Sequence, residues 1–338
     1  MKEHKKDLLW LNDMRFLAAL AIIFVHIAQP FFSTEETLHS SSWWISNFYL
    51  SLNMWGVPVF VMISGALLLS PERQYNSLTD FYNRRLSRLF LPILFWTLIY
   101  LVLLYIRNIT LGEPTTLSYF LLSLIKGQPY YHMWYLYMVW GLYLVTPFLR
   151  IIVKHASRSD LIFFASLLMM LSIIASQFTN PHDQKFFLLM FPFYLGYFVT
   201  GYIISTTKFN MRSIQIVGIL SLLLILTILG EYYFLGHFVH NFSPTMILFA
   251  ILLMILIKSH HYKIPIDPTK RQKLASFSLG AYLIHPALLA IFRKFNYFGI
   301  PMQEYLFITI PLLVIIITTI SLLIAYIFSK LPFLKKTI

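Results

Sequence analysis

Stretches apolar enough and long enough to cross a bilayer recur about ten times along this chain of 338 residues. No other feature restricts its fold so tightly. A hydrocarbon core about 30 Å thick needs roughly 20 predominantly apolar residues of helix. The stretches lie near 14–32, 49–69, 89–106, 133–152, 161–178, 186–205, 214–229, 244–257, 274–291 and 305–328. They predict an all-α, polytopic membrane helix bundle of about ten transmembrane helices. Composition agrees, with 58% hydrophobic and 12% charged residues and a mean hydropathy of +0.71, too apolar for a soluble domain. The seventh and eighth stretches are short, and they meet where Glu231, His237 and His240 interrupt the pattern.

Positive charge sets the expected orientation, because loops rich in Lys and Arg stay on the cytoplasmic side. With the N-terminus inside, the outer loops of this ten-span arrangement carry Arg107, Lys126, Lys185, Arg293 and Lys294, and Arg15 lies within the first span. All the other Lys and Arg of the 26 fall on inner segments, among them Lys2, Lys5, Lys6, Arg73 and Lys263. Both termini are therefore expected in the cytoplasm, in a multi-pass protein of the cell membrane. A basic inner face meeting anionic lipid accounts for the net charge of +13 without nucleic acid as a partner.

The loops are too short for a separate folded domain, so residues 1–338 are read as one integral-membrane domain. The charged segment 1–10 is followed by an apolar run long enough to span, which predicts no cleavable signal. Cysteine is absent, which excludes disulfides, thiolate nucleophiles and Cys-based metal sites. Chemistry then falls to His, Ser, Tyr, Asp and Glu.

Among these, His26 in the first span is the most informative. It lies eleven residues after Arg15, and at about 100° per residue the two side chains return to one helical face, roughly 16 Å apart along the axis. With Arg15 at the membrane edge, His26 is expected near the middle of the hydrocarbon. An ionisable group there is a functional-site candidate, although a histidine can also simply hydrogen-bond a neighbouring helix. An unperturbed imidazole, with a pKa of about 6.5, accepts protons near neutral pH.

Further elements follow in order: Val57-Pro58-Val59-Phe60-Val61-Met62-Ile63-Ser64-Gly65, then Arg85-Leu86-Ser87-Arg88 just before the third span. His132-Met133-Trp134-Tyr135-Leu136 opens the fourth span, and Ser278-Leu279-Gly280-Ala281-Tyr282-Leu283-Ile284-His285-Pro286 lies in the ninth. Together with the R-x10-H spacing of Arg15 and His26, this series resembles the integral-membrane acyltransferase family 3, whose members O-acylate cell-envelope carbohydrates. The resemblance covers most of the chain. It departs at Asn12, three before the arginine, where members often carry an acid; here Asp13 is adjacent. The extracytoplasmic hydrolase-like domain of longer relatives is not part of the pattern, so the chain resembles the compact branch of the family.

The resemblance implies an O-acetyltransferase that moves an acyl group, acetyl from acetyl-CoA, to a hydroxyl of an envelope saccharide or its lipid-linked precursor. His26 would be the general base or a covalent acyl carrier, with Arg15 steadying pyrophosphate or the thioester oxygen. Arg85 and Arg88, three apart on a helix, would hold the phosphates of acyl-CoA, since guanidinium forks match phosphate oxygens. The same arginines, with Arg84 as a flanking headgroup contact, also satisfy the positive-inside pattern. His132, Trp134 and Tyr135 would meet the acceptor sugar, although Tyr130, Tyr131, Trp134 and Tyr135 fit an interfacial aromatic belt equally well. Ser64 and Gly65 suit close helix packing, and His285 is either a second polar site or a structural hydrogen bond. Glu231, His237 and His240 match no metal-ligand spacing, so no metal is expected. From another class comes a transporter or flippase with Arg15 and His26 on a polar pathway; the chain lacks the matched halves with interrupted helices that such proteins often show.

Overall fold

The computed structural model describes residues 9–32, 38–70, 75–112, 116–178, 186–260, 265–300, 302 and 304–338. Of the charges named above, Lys2, Lys5, Lys6, Arg73, Lys185 and Lys263 lie outside the described residues. Among the described residues all regular structure is helical. Eight helical segments are long and apolar enough to cross a membrane, or nine when one bent pair counts as a single span.

The chain divides into two compact units. The first, residues 1–63 and 206–327, holds α1 (Leu9–Ala28), α2 (Ser41–Asn53) and the first part of α3 (Gly56–Leu68). Its remaining helices come from the C-terminal half of the chain and are numbered below. Ser40 caps α2, its Oγ accepting from the Trp43 amide at 3.2 Å, which explains why helix starts at Ser41 rather than at the expected position 49. Gly56 lets α3 approach α1: a Cβ there would stand 3.0 Å from the Ala18 carbonyl oxygen. The buried core joins Ile23 and Ile27 of α1 and Leu50 of α2 to Ile310, Leu313 and Ile317 near the C-terminal end of the unit.

The second unit, residues 64–205 and 328–338, contains the rest of α3, then α4 (Leu78–Leu111), α5 (Leu117–Lys126), α6 (Trp134–His155), α7 (Arg158–Phe178) and α8 (Phe191–Thr206). Ser77 caps α4 by accepting from the Asp80 amide at 3.0 Å, and Gly112 ends it in the left-handed region at φ 70°, a conformation glycine adopts without strain. The capped helix therefore starts well before position 89, and Arg85 and Arg88 lie inside it rather than ahead of it. Close packing at Gly65 follows the expectation: a Cβ there would fall 1.7 Å from the Phe198 carbonyl oxygen, so α3 meets α8 backbone to backbone.

The first unit is completed by α9 (Ser213–Tyr233), α10 (Pro244–His260), α11 (Pro268–Ser276), α12 (Ser278–Lys294) and α13 (Leu306–Lys330), the last running on into the second unit. Helix α10 has only 17 residues, about 26 Å by helical rise, short of a full core. The ninth expected stretch is broken near Phe277, with α11 and α12 bent by 48°. The short α10 and the bent α11–α12 pair account for the difference between ten expected spans and eight or nine. Between α9 and α10, the buried Glu231 carboxylate accepts from the amides of Gly236 at 2.6 Å, Phe238 at 2.9 Å and Val239 at 2.8 Å. The acid that interrupts the apolar pattern closes the connecting loop.

Candidate active site

Helix α1 runs unbroken through Arg15 and His26, so the shared face inferred from their spacing holds within one rod. Trp10, Leu11 and Asp13 are buried and already helical, which puts Arg15 about 9 Å inside the helix by its rise. His26 falls in the last turn of the helix. The apolar segment continues to Phe31.

Asp13 does not turn to its neighbour. It receives Nε of Arg271 at 2.7 Å and also Nη2 of the same guanidinium, with Asp13 at 9% and Arg271 at 6% exposure. This bidentate pair fastens α11 to the start of α1, neutralising both charges where neither could be left alone. Arg15 is half-buried.

At the other end of α1 the His26 ring stacks on the His285 ring, with centroids 5.3 Å apart and planes at 22°. His285 is fully buried. Its Nδ1 lies 3.2 Å from the Ala281 carbonyl, a contact that assigns the proton to Nδ1 and leaves Nε2 as the basic atom. Tyr282 flanks the same ring at 5.9 Å. The turn carrying His26 is held in an unusual way. Its carbonyl would ordinarily accept from the amide four residues on, but that residue is Pro30, which has none. Arg293, at the end of α12, donates Nη2 to the His26 carbonyl at 2.9 Å instead.

The remaining expected site residues belong to the second unit. Arg84 pairs with Asp80 at 2.5 Å and stays 58% exposed. Arg85 is half-buried and donates Nε to the Tyr75 hydroxyl at 2.9 Å; Arg88 is exposed. The Tyr75 ring also carries the Arg150 guanidinium 5.2 Å from its centroid. Arg150 donates Nη1 to the carbonyls of Leu68 at 2.7 Å and Ser70 at 2.9 Å, satisfying the end of α3. It brings a second guanidinium to the Arg85 group, and the sequence marked it only as one charge among many.

His132 is buried, edge-on to Tyr100 at 4.8 Å, while Tyr130 stacks on Tyr100 at 4.6 Å. Trp134 is 8% and Tyr135 7% exposed, with Trp134 packed near Phe187 and Tyr194. A lipid-facing belt requires exposed rings; these are covered by protein. Among the described residues no three His, Asp or Glu side chains converge as a metal site requires.

A family model described as an acyltransferase domain matches residues 8–330. No curated protein and no solved structure matches.

Proposed function

The chain belongs to acyltransferase family 3, and from that premise we propose that it is a membrane O-acyltransferase whose reaction runs at the His26–His285 pair. The family match favours the enzyme over the transporter. The donor in this reading is a cytoplasmic acyl-CoA, with acetyl-CoA as the first compound to test, and the acceptor is a hydroxyl of an envelope saccharide or its lipid-linked precursor in the plasma membrane.

The observation that supports it most directly is the stacked pair of imidazoles on α1 and α12, groups suited to proton transfer or nucleophilic attack. As general base, a His26 ring nitrogen takes the acceptor O–H proton while the oxygen attacks the thioester carbon. The C–S bond then breaks, and the thiolate leaves with the proton from His26. His285, its Nδ1 held by the Ala281 carbonyl, fixes the His26 ring by stacking against it. Should His26 instead carry the acyl group, an acyl-imidazole precedes attack by the acceptor. Arg85 and Arg88, joined by Arg150, offer guanidinium forks suited to the CoA phosphates. Arg15, on the His26 face but roughly 16 Å away along α1, is the candidate for steadying the pyrophosphate. His132, Trp134 and Tyr135 are retained as candidate acceptor contacts.

The decisive assay is release of free thiol from acetyl-CoA by purified protein supplied with an envelope glycan fraction. His26→Ala should lower that release by about a hundredfold or more. Undiminished release in His26→Ala would refute the reading. Rapid quench of radiolabelled acetyl-CoA into denaturant at neutral pH without acceptor separates the two roles: an acyl-imidazole on His26 marks the carrier, and its absence with intact turnover marks the base.

A further inference from the structure

A nucleophile and a base meet in the first unit, away from the histidine pair. Ser213 is the first residue of α9, and His260 is the last residue of α10. Ser213 Oγ lies 2.6 Å from His260 Nε2. The other ring nitrogen, Nδ1, lies 3.1 Å from the Leu256 carbonyl. A carbonyl can only accept, so Nδ1 carries the proton and Nε2 presents its lone pair to the serine hydroxyl. Nucleophile, base and a third group orienting the base form the arrangement by which weak hydroxyl nucleophiles are activated.

Three surrounding features fit acyl chemistry rather than a helix cap. Arg212 occupies the capping position of α9, so the Ser213 hydroxyl is not spent on the helix end. The amides of Ser213 and Ile214 open the helix with no intrahelical carbonyl to bond, which suits them to a developing oxyanion. Both Ser213 and His260 are only half-buried, and the exposed Lys208 and Arg212 lie close in sequence. Lys258 donates to the Thr207 carbonyl at 2.8 Å and sits 5.7 Å from the Trp10 ring. This places the pair at the end of α1 opposite His26, among cations that favour an anionic leaving group.

We propose that Ser213 and His260 form a second acyl-accepting site, which takes acyl groups from activated esters or thioesters with anionic leaving groups. Ser213 Oγ bonds to the acyl carbon as its proton passes to His260 Nε2; the bond to the leaving sulfur or oxygen breaks, and the leaving group departs with that proton. Water then attacks the acyl-serine, again giving its proton to His260. The Oγ–C bond breaks, the serine recovers the proton, and a carboxylic acid is released.

The test uses the purified full-length protein with two probes, a fluorophosphonate and p-nitrophenyl acetate. Neither depends on acyl-CoA or on a glycan, so the outcome is separate from that of the thiol-release assay. Peptide mass spectrometry should find the fluorophosphonate on Ser213, and p-nitrophenol should appear in a burst of one equivalent. Ser213→Ala should lose both, and His260→Asn should slow labelling by about a hundredfold. Ser213→Cys, which keeps a nucleophile of similar size, guards against loss through misfolding and should retain a burst. No modification of Ser213 in folded wild type, or equal labelling rates in wild type and His260→Asn, overturns the proposal.

Discussion

The two compact units place their polar groups differently. In the first, charged and imidazole side chains engage one another across helices remote in sequence: Asp13 with Arg271, His26 with His285, and Arg293 with the His26 carbonyl. The second sets guanidiniums around a tyrosine ring and against carbonyls, and surrounds His132 with aromatic rings. Groups that steer one another in a buried setting suit bond making, whereas guanidiniums partly open to solvent suit the capture of an anion. The contrast fits the proposal that chemistry runs in the first unit and donor binding in the second.

The sharpest way to break this division is at the chemical step. His26→Ala should reduce turnover by about a hundredfold or more at unchanged affinity for acyl-CoA. His285→Ala should give a smaller fall in turnover, also without loss of donor affinity. If His132→Ala lowered turnover as far as His26→Ala, the division would be wrong.

Comparable in size is the effect of unfastening α11. Removing one partner of a buried ion pair strands the other charge, and Arg271→Met or Asp13→Ala should destabilise the protein by about 3–5 kcal/mol. Thermal unfolding in detergent reads this directly, and the double variant should recover much of the loss. An unchanged midpoint in Arg271→Met would remove the tether from the account.

Smaller effects are expected on the binding side. Arg85→Ala and Arg150→Ala should each weaken acyl-CoA binding by roughly tenfold, about 1.4 kcal/mol, with turnover at saturation little changed. Arg84→Ala should change affinity least, since an exposed pair contributes about 0–1 kcal/mol. Isothermal titration with a non-hydrolysable acyl-CoA analogue distinguishes the three, and equal affinity in all would leave these arginines with a purely topological role.

The smallest effect concerns the α9–α10 loop. Burial holds the His240 imidazole below its ordinary range, against opposing contributions from a His237 backbone hydrogen bond and the Glu231 charge, and its Nδ1 accepts from the Phe242 amide at 3.2 Å. The folded loop thus prefers the neutral ring. Its contribution to stability is full above the unfolded value of about 6.5 and is lost as pH falls from there through the lowered folded value. Hydrogen exchange at Phe242 should quicken as pH drops below about 6.5 relative to the intrinsic rate, and His240→Gln should flatten that dependence.

Much of this architecture is legible in the sequence, because continuous apolar length announces a spanning helix whatever surrounds it. The helix breaks at Phe277 and the early starts at Leu9, Ser41 and Leu78 are less visible. They depend on caps and on a partner for Asp13 that lies 258 residues away. Periodicity put Arg15 and His26 on one face, since a single helix carries both. It had no access to the stacking of His285 on His26, nor to the bond from Arg293, 267 residues distant. One local signal was present: Pro30 four residues after His26 marks a carbonyl in need of a donor. Arg150 had no comparable mark, because its value comes from where α3 ends. The likeness in sequence supplied the reaction class, which helix geometry alone does not carry.

The bond between Arg293 and the His26 carbonyl has an evolutionary consequence. A proline at 30 and an arginine at 293 are two halves of one solution, and a lineage that replaced Pro30 with a residue bearing an amide would release position 293 from its duty. Drift at the far helix end should therefore be free only where the proline has gone first.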